Sequence, residues 1–202
     1  MLGGDGVTVF ELRSCVAEQW VPQIGDPEVT GWVTVVSYLL AALLSALVWR
    51  RLADDPVRIF WGVLVVLLAL LAVNKQLDLQ TALTEAGRCL SQAQGWYDNR
   101  RAVQIGFIGS LLIVLVMAMG IIMAVLRDRL AQNALAVIGL TVLLAFVMVR
   151  AASIHRFDAL FGTDSFGVSN NFLFENAGLV LIAINALMLL RRPQGQDQIR
   201  PG

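Results

Sequence analysis

Apolar residues fall in five long runs, Gly31 to Trp49, Pro56 to Leu79, Val103 to Leu126, Gln132 to Ala152 and Asn171 to Leu190, separated by short polar breaks. A hydrocarbon core of roughly 30 Å asks for about 20 helical residues, so each run is long enough to cross a membrane. The second run opens on DDPVRIFW. Asp55 there suits a helix N-cap and Pro56 the first helical position, which sets that boundary.

Between the second and third runs the pattern changes. On a helical wheel Leu79, Ala82, Leu83, Ala86, Leu90 and Ala93 share one arc, while Asp78, Gln80, Thr81, Thr84, Glu85, Arg88, Ser91 and Gln92 share the other. Such a helix lies along a membrane surface, not through it. The predicted fold is all-α, a polytopic membrane helix bundle of five transmembrane helices with an amphipathic interfacial helix at about 77–94. An N-terminal segment at 1–30 precedes the bundle of 31–190. A polar, Pro- and Gly-bearing flexible tail, RRPQGQDQIRPG, follows at 191–202.

Composition agrees with the runs, since 57% of the 202 residues are hydrophobic and 15% charged, too apolar a balance for a soluble domain of this size. Lys plus Arg and Asp plus Glu number 15 each, so no net positive charge points to nucleic acid, and lipid, an amphiphilic small molecule or other membrane proteins are the expected partners. The segment MLGGDGVTVFELRSC has neither the basic nor the apolar part of a cleavable signal peptide. Arg13 stands where a lipoprotein cleavage box needs a small residue.

Charge also orients the chain. Arg50, Arg51 and Arg58, then Arg127 and Arg129, then Arg191, Arg192 and Arg200 flank alternate ends of the runs, which by the positive-inside rule predicts N-out, C-in in a multi-pass bacterial inner-membrane protein. Lys75, Arg88, Arg100, Arg101, Arg150 and Arg156 sit in the opposite connections, among acids and in longer segments that weaken the rule. In that orientation both cysteines, Cys15 and Cys89, face the oxidising side, where a disulfide is expected, the alternative being two buried thiols.

The chemistry concentrates at one depth. From Ile59 to Val73 the second run has fifteen apolar residues, roughly 22 Å of helix, so Asn74, Lys75, Gln76 and Asp78 must complete the crossing. Counting along the other runs brings Glu175 to about one turn below the same boundary with Asn176 beside it, Arg150 to the boundary and Gln104 to the opening of the third run. Ser153, His155 and Asp158, in RAASIHRFD, come just above. The inner halves read as Leu, Val, Ala, Ile and Met. Ionisable groups at membrane depth are costly and usually face a bundle interior or a wet cavity.

The expected site is therefore an outer-facing polar cavity lined by Asn74, Lys75, Asp78, Gln104, Arg150, His155, Asp158, Glu175 and Asn176. It would bind the head of an amphiphile or lipid, anionic in view of Lys75 and Arg150. Two alternatives stand beside it. Lys75 with Glu175, Arg150 with Asp158 and Asn74 with Asn176 would merely fix packing in a structural subunit of a larger membrane complex. Or His155 would be a general base oriented by Asp158 in an interfacial hydrolase or transferase. His155 is the only histidine, which excludes bis-His haem and a multi-histidine zinc site, so neither metal nor cofactor is expected. Arg150, His155 and Asp158 resemble in order the last signature of membrane-bound phosphatidic acid phosphatases. Both intervals are one residue short, however, and the Pro-Ser-Gly-His motif of those enzymes is absent. A transporter ranks last, for want of an inverted repeat or of Gly/Pro-broken helices.

Overall fold

The computed structural model describes residues 14–18, 28–53, 55–77, 79–93, 95, 100–151, 164–165 and 168–192. Six helices carry the fold: α1 (Val29–Arg51), α2 (Arg58–Leu77), α3 (Leu79–Ala93), α4 (Arg100–Leu126), α5 (Leu130–Ala151) and α6 (Asn170–Arg191). A 3-10 turn, Arg127–Arg129, joins α4 to α5, and residues 14–18 add a helical turn. The one extended feature described is the antiparallel pairing of β1 (Asp164–Ser165) with β2 (Val168–Ser169), just before α6.

Asp55 makes the expected side-chain bond ahead of α2, but the helix starts two residues later than predicted. Asp55 Oδ1 accepts the Val57 N–H at 2.9 Å, and the Arg58 and Ile59 N–H groups bond back to the Asp55 and Pro56 carbonyls at 2.9 and 3.2 Å. Those i to i+3 bonds make a tight first turn, so regular α-helix begins at Arg58, two residues beyond the proline. The expected interfacial helix is α3, which begins directly after α2.

Packing within the bundle follows from a few bonds and close approaches. The Trp49 indole covers Gly62, so α1 and α2 run antiparallel. Asn176 bonds Thr34 while Arg51 donates to the carbonyls of Leu190 and Arg192, so α1 and α6 run parallel. Gly139 lies against Gly178, and Asn185 reaches Gln132, which sets α5 antiparallel to α6. One end of the bundle thus gathers Gly31, Leu77, Ala151 and Asn170, and the other gathers Arg51, Arg58, Leu130 and Arg191. We call them the Glu175 end and the Arg51 end. At the latter, Arg129 pairs with Asp55 at 3.5 Å and ties the two turns together.

The distribution of side chains inverts that of a soluble bundle. Facing outward are large residues such as Leu39, Leu43, Val66, Leu70 and Val180, all more than half exposed, whereas the buried stripe of α1 is Gly31, Thr34, Tyr38, Ala41, Ala42, Ser45 and Val48. Among the described residues, four helical stretches are long and apolar enough to cross a membrane: Val29–Arg51, Arg58–Leu77, the 45-residue stretch Ile105–Val149, and Phe172–Arg191. The chain is an integral membrane protein by this measure.

Small residues set the closest helix contact. A Cβ on Gly139 would fall 2.5 Å from the Gly178 carbonyl oxygen, and one on Gly178 would fall 2.7 Å from Leu143 Cγ. Bare glycines let the two backbones touch, the usual device where no hydrophobic effect drives association. By contrast α4 touches the core only through its last turns, with Leu126 buried and Met119 and Ile122 packed against it.

Candidate functional site

At the Glu175 end a charged cluster joins three helices. Glu175, 3% exposed, accepts the Tyr38 hydroxyl on Oε1 at 2.9 Å and the Lys75 ammonium on Oε2 at 3.2 Å. The Lys75 and Glu175 side chains are only 11% and 5% exposed, so water screens the pair little. Beside it, Asn176 Nδ2 donates to Thr34 Oγ1 at 3.1 Å and to the Phe172 carbonyl at 2.9 Å, while the Thr34 hydroxyl donates to the Thr30 carbonyl at 2.9 Å. Each helix supplies its part through ordinary periodicity: Thr34 and Tyr38 lie on one stripe of α1, and Lys75 ends the buried stripe of α2.

Of the residues expected from sequence, Lys75, Glu175 and Asn176 come together here, and Asn74 lies half-buried on the same turn of α2. Asn176 pairs with Thr34, not with Asn74 as the packing alternative supposed. Gln104 falls in the second turn of α4, and Arg150 is the penultimate residue of α5. Asp78, His155 and Asp158 lie outside the described residues. Among the described residues no group of three His, Cys, Asp or Glu side chains is placed to hold a metal ion.

Cys15 and Cys89 form a disulfide with Cα atoms 6.2 Å apart, tying the N-terminal segment to α3. Cys89 and Ser91 are buried, and Ser91 donates to the Arg88 carbonyl. The cysteine expectation is met.

Gln76 departs from the expected set. It sits one turn beyond Ala72 on the inward stripe that also carries Trp61, Leu64 and Leu68, each at 0 to 4% exposure. Both its Nε2 and its Oε1 are shielded from solvent, and neither has a hydrogen-bond partner. Nearly all buried polar groups in folded chains have one.

The apolar reading of the opposite half needs correction. Toward the Arg51 end Asn133, Asn185 and Ser45 are buried to 2% exposure or less. Asn133 Oδ1 accepts the Trp61 indole N–H at 3.0 Å, and its Nδ2 donates to the Arg129 carbonyl at 2.9 Å. Asn185 Oδ1 accepts the Ala136 N–H at 2.9 Å, while Nδ2 donates to the Gln132 carbonyl at 2.8 Å. Gln132 and Ala136 are an i, i+4 pair of α5, so the Asn185 amide docks on one rung of that helix's own ladder. Residue types do not reveal the role of Asn185, because its partners are backbone groups. Tyr38 was also missed, although a tyrosine inside an apolar helix asks for a partner to its hydroxyl.

Comparison with protein-family models, with curated proteins and with solved structures finds no match. Function is therefore argued from these residues alone.

Proposed function

We propose that this is a five-span membrane protein, N-out and C-in, whose Glu175 end faces outward and binds the polar head of an amphiphile at headgroup level. Five spans rather than four follow from helix direction. Trp61 bonds Asn133 near the starts of α2 and α5, which run the same way. The chain leaving α2 at Leu77 must therefore return along the bundle before Leu130, and α4, with 27 residues or roughly 40 Å, is long enough to carry it. A 45-residue stretch is about twice what one crossing needs. A reporter fused after Arg200 that is active only on the outer side would overturn the orientation.

The observation that carries the binding reading is the buried Tyr38–Glu175–Lys75 cluster with the unpaired Gln76 amide one residue away. Groups of this kind are expensive at membrane depth and mark ligand or ion sites more often than other intramembrane positions do. The disulfide-tied α3 supplies a lid-like cover on the lipid-water boundary. Purification of the full chain in mild detergent followed by native mass spectrometry tests the reading. A retained amphiphile, lost on Gln76→Leu with the fold intact, supports it; a chain that retains none speaks for a purely structural cluster.

A second reading, subunit of a larger membrane complex, has its own support in α4. Nothing lies within 4 Å of a Cβ placed on Gly106, Gly109 or Gly120, and large residues such as Ile113, Val116 and Ile121 are about 60% exposed. Crosslinking from Gly109→Cys in native membranes would reveal a neighbouring helix there.

A further inference from the structure

We infer that the head of the bound amphiphile is uncharged where it enters the bundle, and that the Gln76 carboxamide recognises it through one donor and one acceptor. This inference rests on the amphiphile-binding reading and narrows its ligand class, against the anionic head that Lys75 and Arg150 suggested from sequence.

Charge balance is the first ground. Lys75 and Glu175 neutralise each other at 3.2 Å, and both carboxylate oxygens are engaged, one by Lys75 and one by Tyr38. An incoming anion would have to draw Lys75 from Glu175, leaving a carboxylate at 5% exposure with only a phenol for company. Uncompensated buried charge is among the most destabilising arrangements in a folded chain. A cation would have to draw Glu175 from Lys75 and break the same buried pair. A neutral head leaves the pair intact and meets it as a fixed dipole.

The second ground is the geometry of the vacancy in hydrogen bonding. Gln76 offers an N–H donor and a carbonyl acceptor side by side, both shielded and both unpaired. The turn that carries it continues the stripe Leu64, Leu68, Ala72 into the bundle, so its amide is presented inward at the level where the Lys75 pair closes the wall. The complementary group has an acceptor for Nε2 and a donor for Oε1 within one carboxamide's reach. A free hydroxyl next to an ester carbonyl fits both requirements, stays uncharged and is carried at headgroup depth by partial glycerides. The inferred ligand class is thus a neutral, hydroxyl-bearing glyceride of the diacylglycerol type.

The test uses the full chain in mixed micelles doped separately with dioleoylglycerol, anionic dioleoylphosphatidylglycerol or zwitterionic dioleoylphosphatidylcholine, with occupancy read by native mass spectrometry and stability by thermal melting. Dioleoylglycerol should be retained above the other two. Gln76→Leu should lower its affinity at least about tenfold, the equivalent of about 1.4 kcal/mol, while the ligand-free variant melts at or above the parent temperature because an unpaired amide has been removed. Preferential retention of dioleoylphosphatidylglycerol, lost on Lys75→Met, would overturn the neutral class while leaving the site reading standing. A Gln76→Leu chain that binds dioleoylglycerol as the parent does, or that melts lower without ligand, would overturn the role of Gln76. Retention of no amphiphile at all would remove both readings.

Discussion

The buried ion pair invites a double-mutant cycle, with Lys75→Met, Glu175→Leu and the two combined. At 3.2 Å and an effective dielectric near 20, the Coulomb attraction is on the order of 5 kcal/mol. Desolvation of each ion takes back several kcal/mol, so the intact pair contributes little net stability. Either single substitution is another matter, because it removes one partner of a buried pair. In the inserted but unassembled helix Lys75 reaches the interface by snorkelling, and folding then drags it to 11% exposure, where Glu175→Leu removes the carboxylate 3.2 Å from it. Each single variant should lose about 3–5 kcal/mol. Lys75→Met should fall at the low end, since Tyr38 still donates to the remaining carboxylate, and Glu175→Leu at the high end, since it breaks the Tyr38 bond as well as the ion pair.

The combined variant places two apolar side chains of similar bulk face to face, and its stability should lie within about 2 kcal/mol of the parent in either direction. The coupling energy then amounts to several kcal/mol. Unfolding in bicelles, followed by steric trapping or by titration with dodecyl sulfate, reads all four corners. Raising ionic strength should change the result little, because the pair is shielded from mobile ions. Single losses below about 1 kcal/mol, adding simply in the combined variant, would refute the buried-pair reasoning and with it the claim that Glu175 is held inside the bundle.

Three further outcomes follow from the packing. Gly139→Ala and Gly178→Ala should each lose about 1–3 kcal/mol in the same unfolding assay, since their methyl groups would meet backbone or Leu143, whereas Gly109→Ala and Gly120→Ala, with open space around them, should be neutral or slightly stabilising. Asn133→Leu should lose about 1–3 kcal/mol by leaving the Trp61 N–H unpaired, while Asn185→Leu should lose less than about 1 kcal/mol because Gln132 and Ala136 can close their own helical rung, and a reversed order would contradict this. Reducing the Cys15–Cys89 bridge, which spans 74 positions, should lower stability by at most about 4 kcal/mol and speed proteolysis of the N-terminal segment, with alkylation and intact-mass measurement confirming that the untreated chain has no free thiol.

Much of the helical frame was legible because a membrane imposes length. The runs beginning at Gly31, Pro56 and Asn171 correspond to α1, α2 and α6 within a few residues, and the amphipathic arc of Leu79 to Ala93 is α3. Depth counting also found Lys75, Glu175 and Asn176, since rise per residue converts position into level. It did not find Thr34 or Tyr38, because the counting began from ionisable residues and passed over hydroxyls. Nor could it find Asn185, whose partners are the Gln132 carbonyl and the Ala136 N–H, groups every residue has. Helix rotation was the missing quantity. A level says how deep a side chain lies, not which neighbour it faces.

That distinction changes what favours the Glu175 end as the proposed site. Among the described residues both ends bury polar side chains, Asn133, Asn185 and Ser45 at one and Thr34, Tyr38 and Glu175 at the other, each 3% exposed or less. They differ in satisfaction. Toward the Arg51 end both amides are engaged at nitrogen and at oxygen, and the one unpaired atom there, Ser45 Oγ, is a hydroxyl that a simple rotation aims at a carbonyl one turn back in its own helix. Gln76 keeps both polar atoms of its amide shielded and unpaired. A closed network cements helices, whereas an open one leaves a donor and an acceptor for a partner from outside the chain. On the proposed reading that partner is the amphiphile head at the Glu175 end.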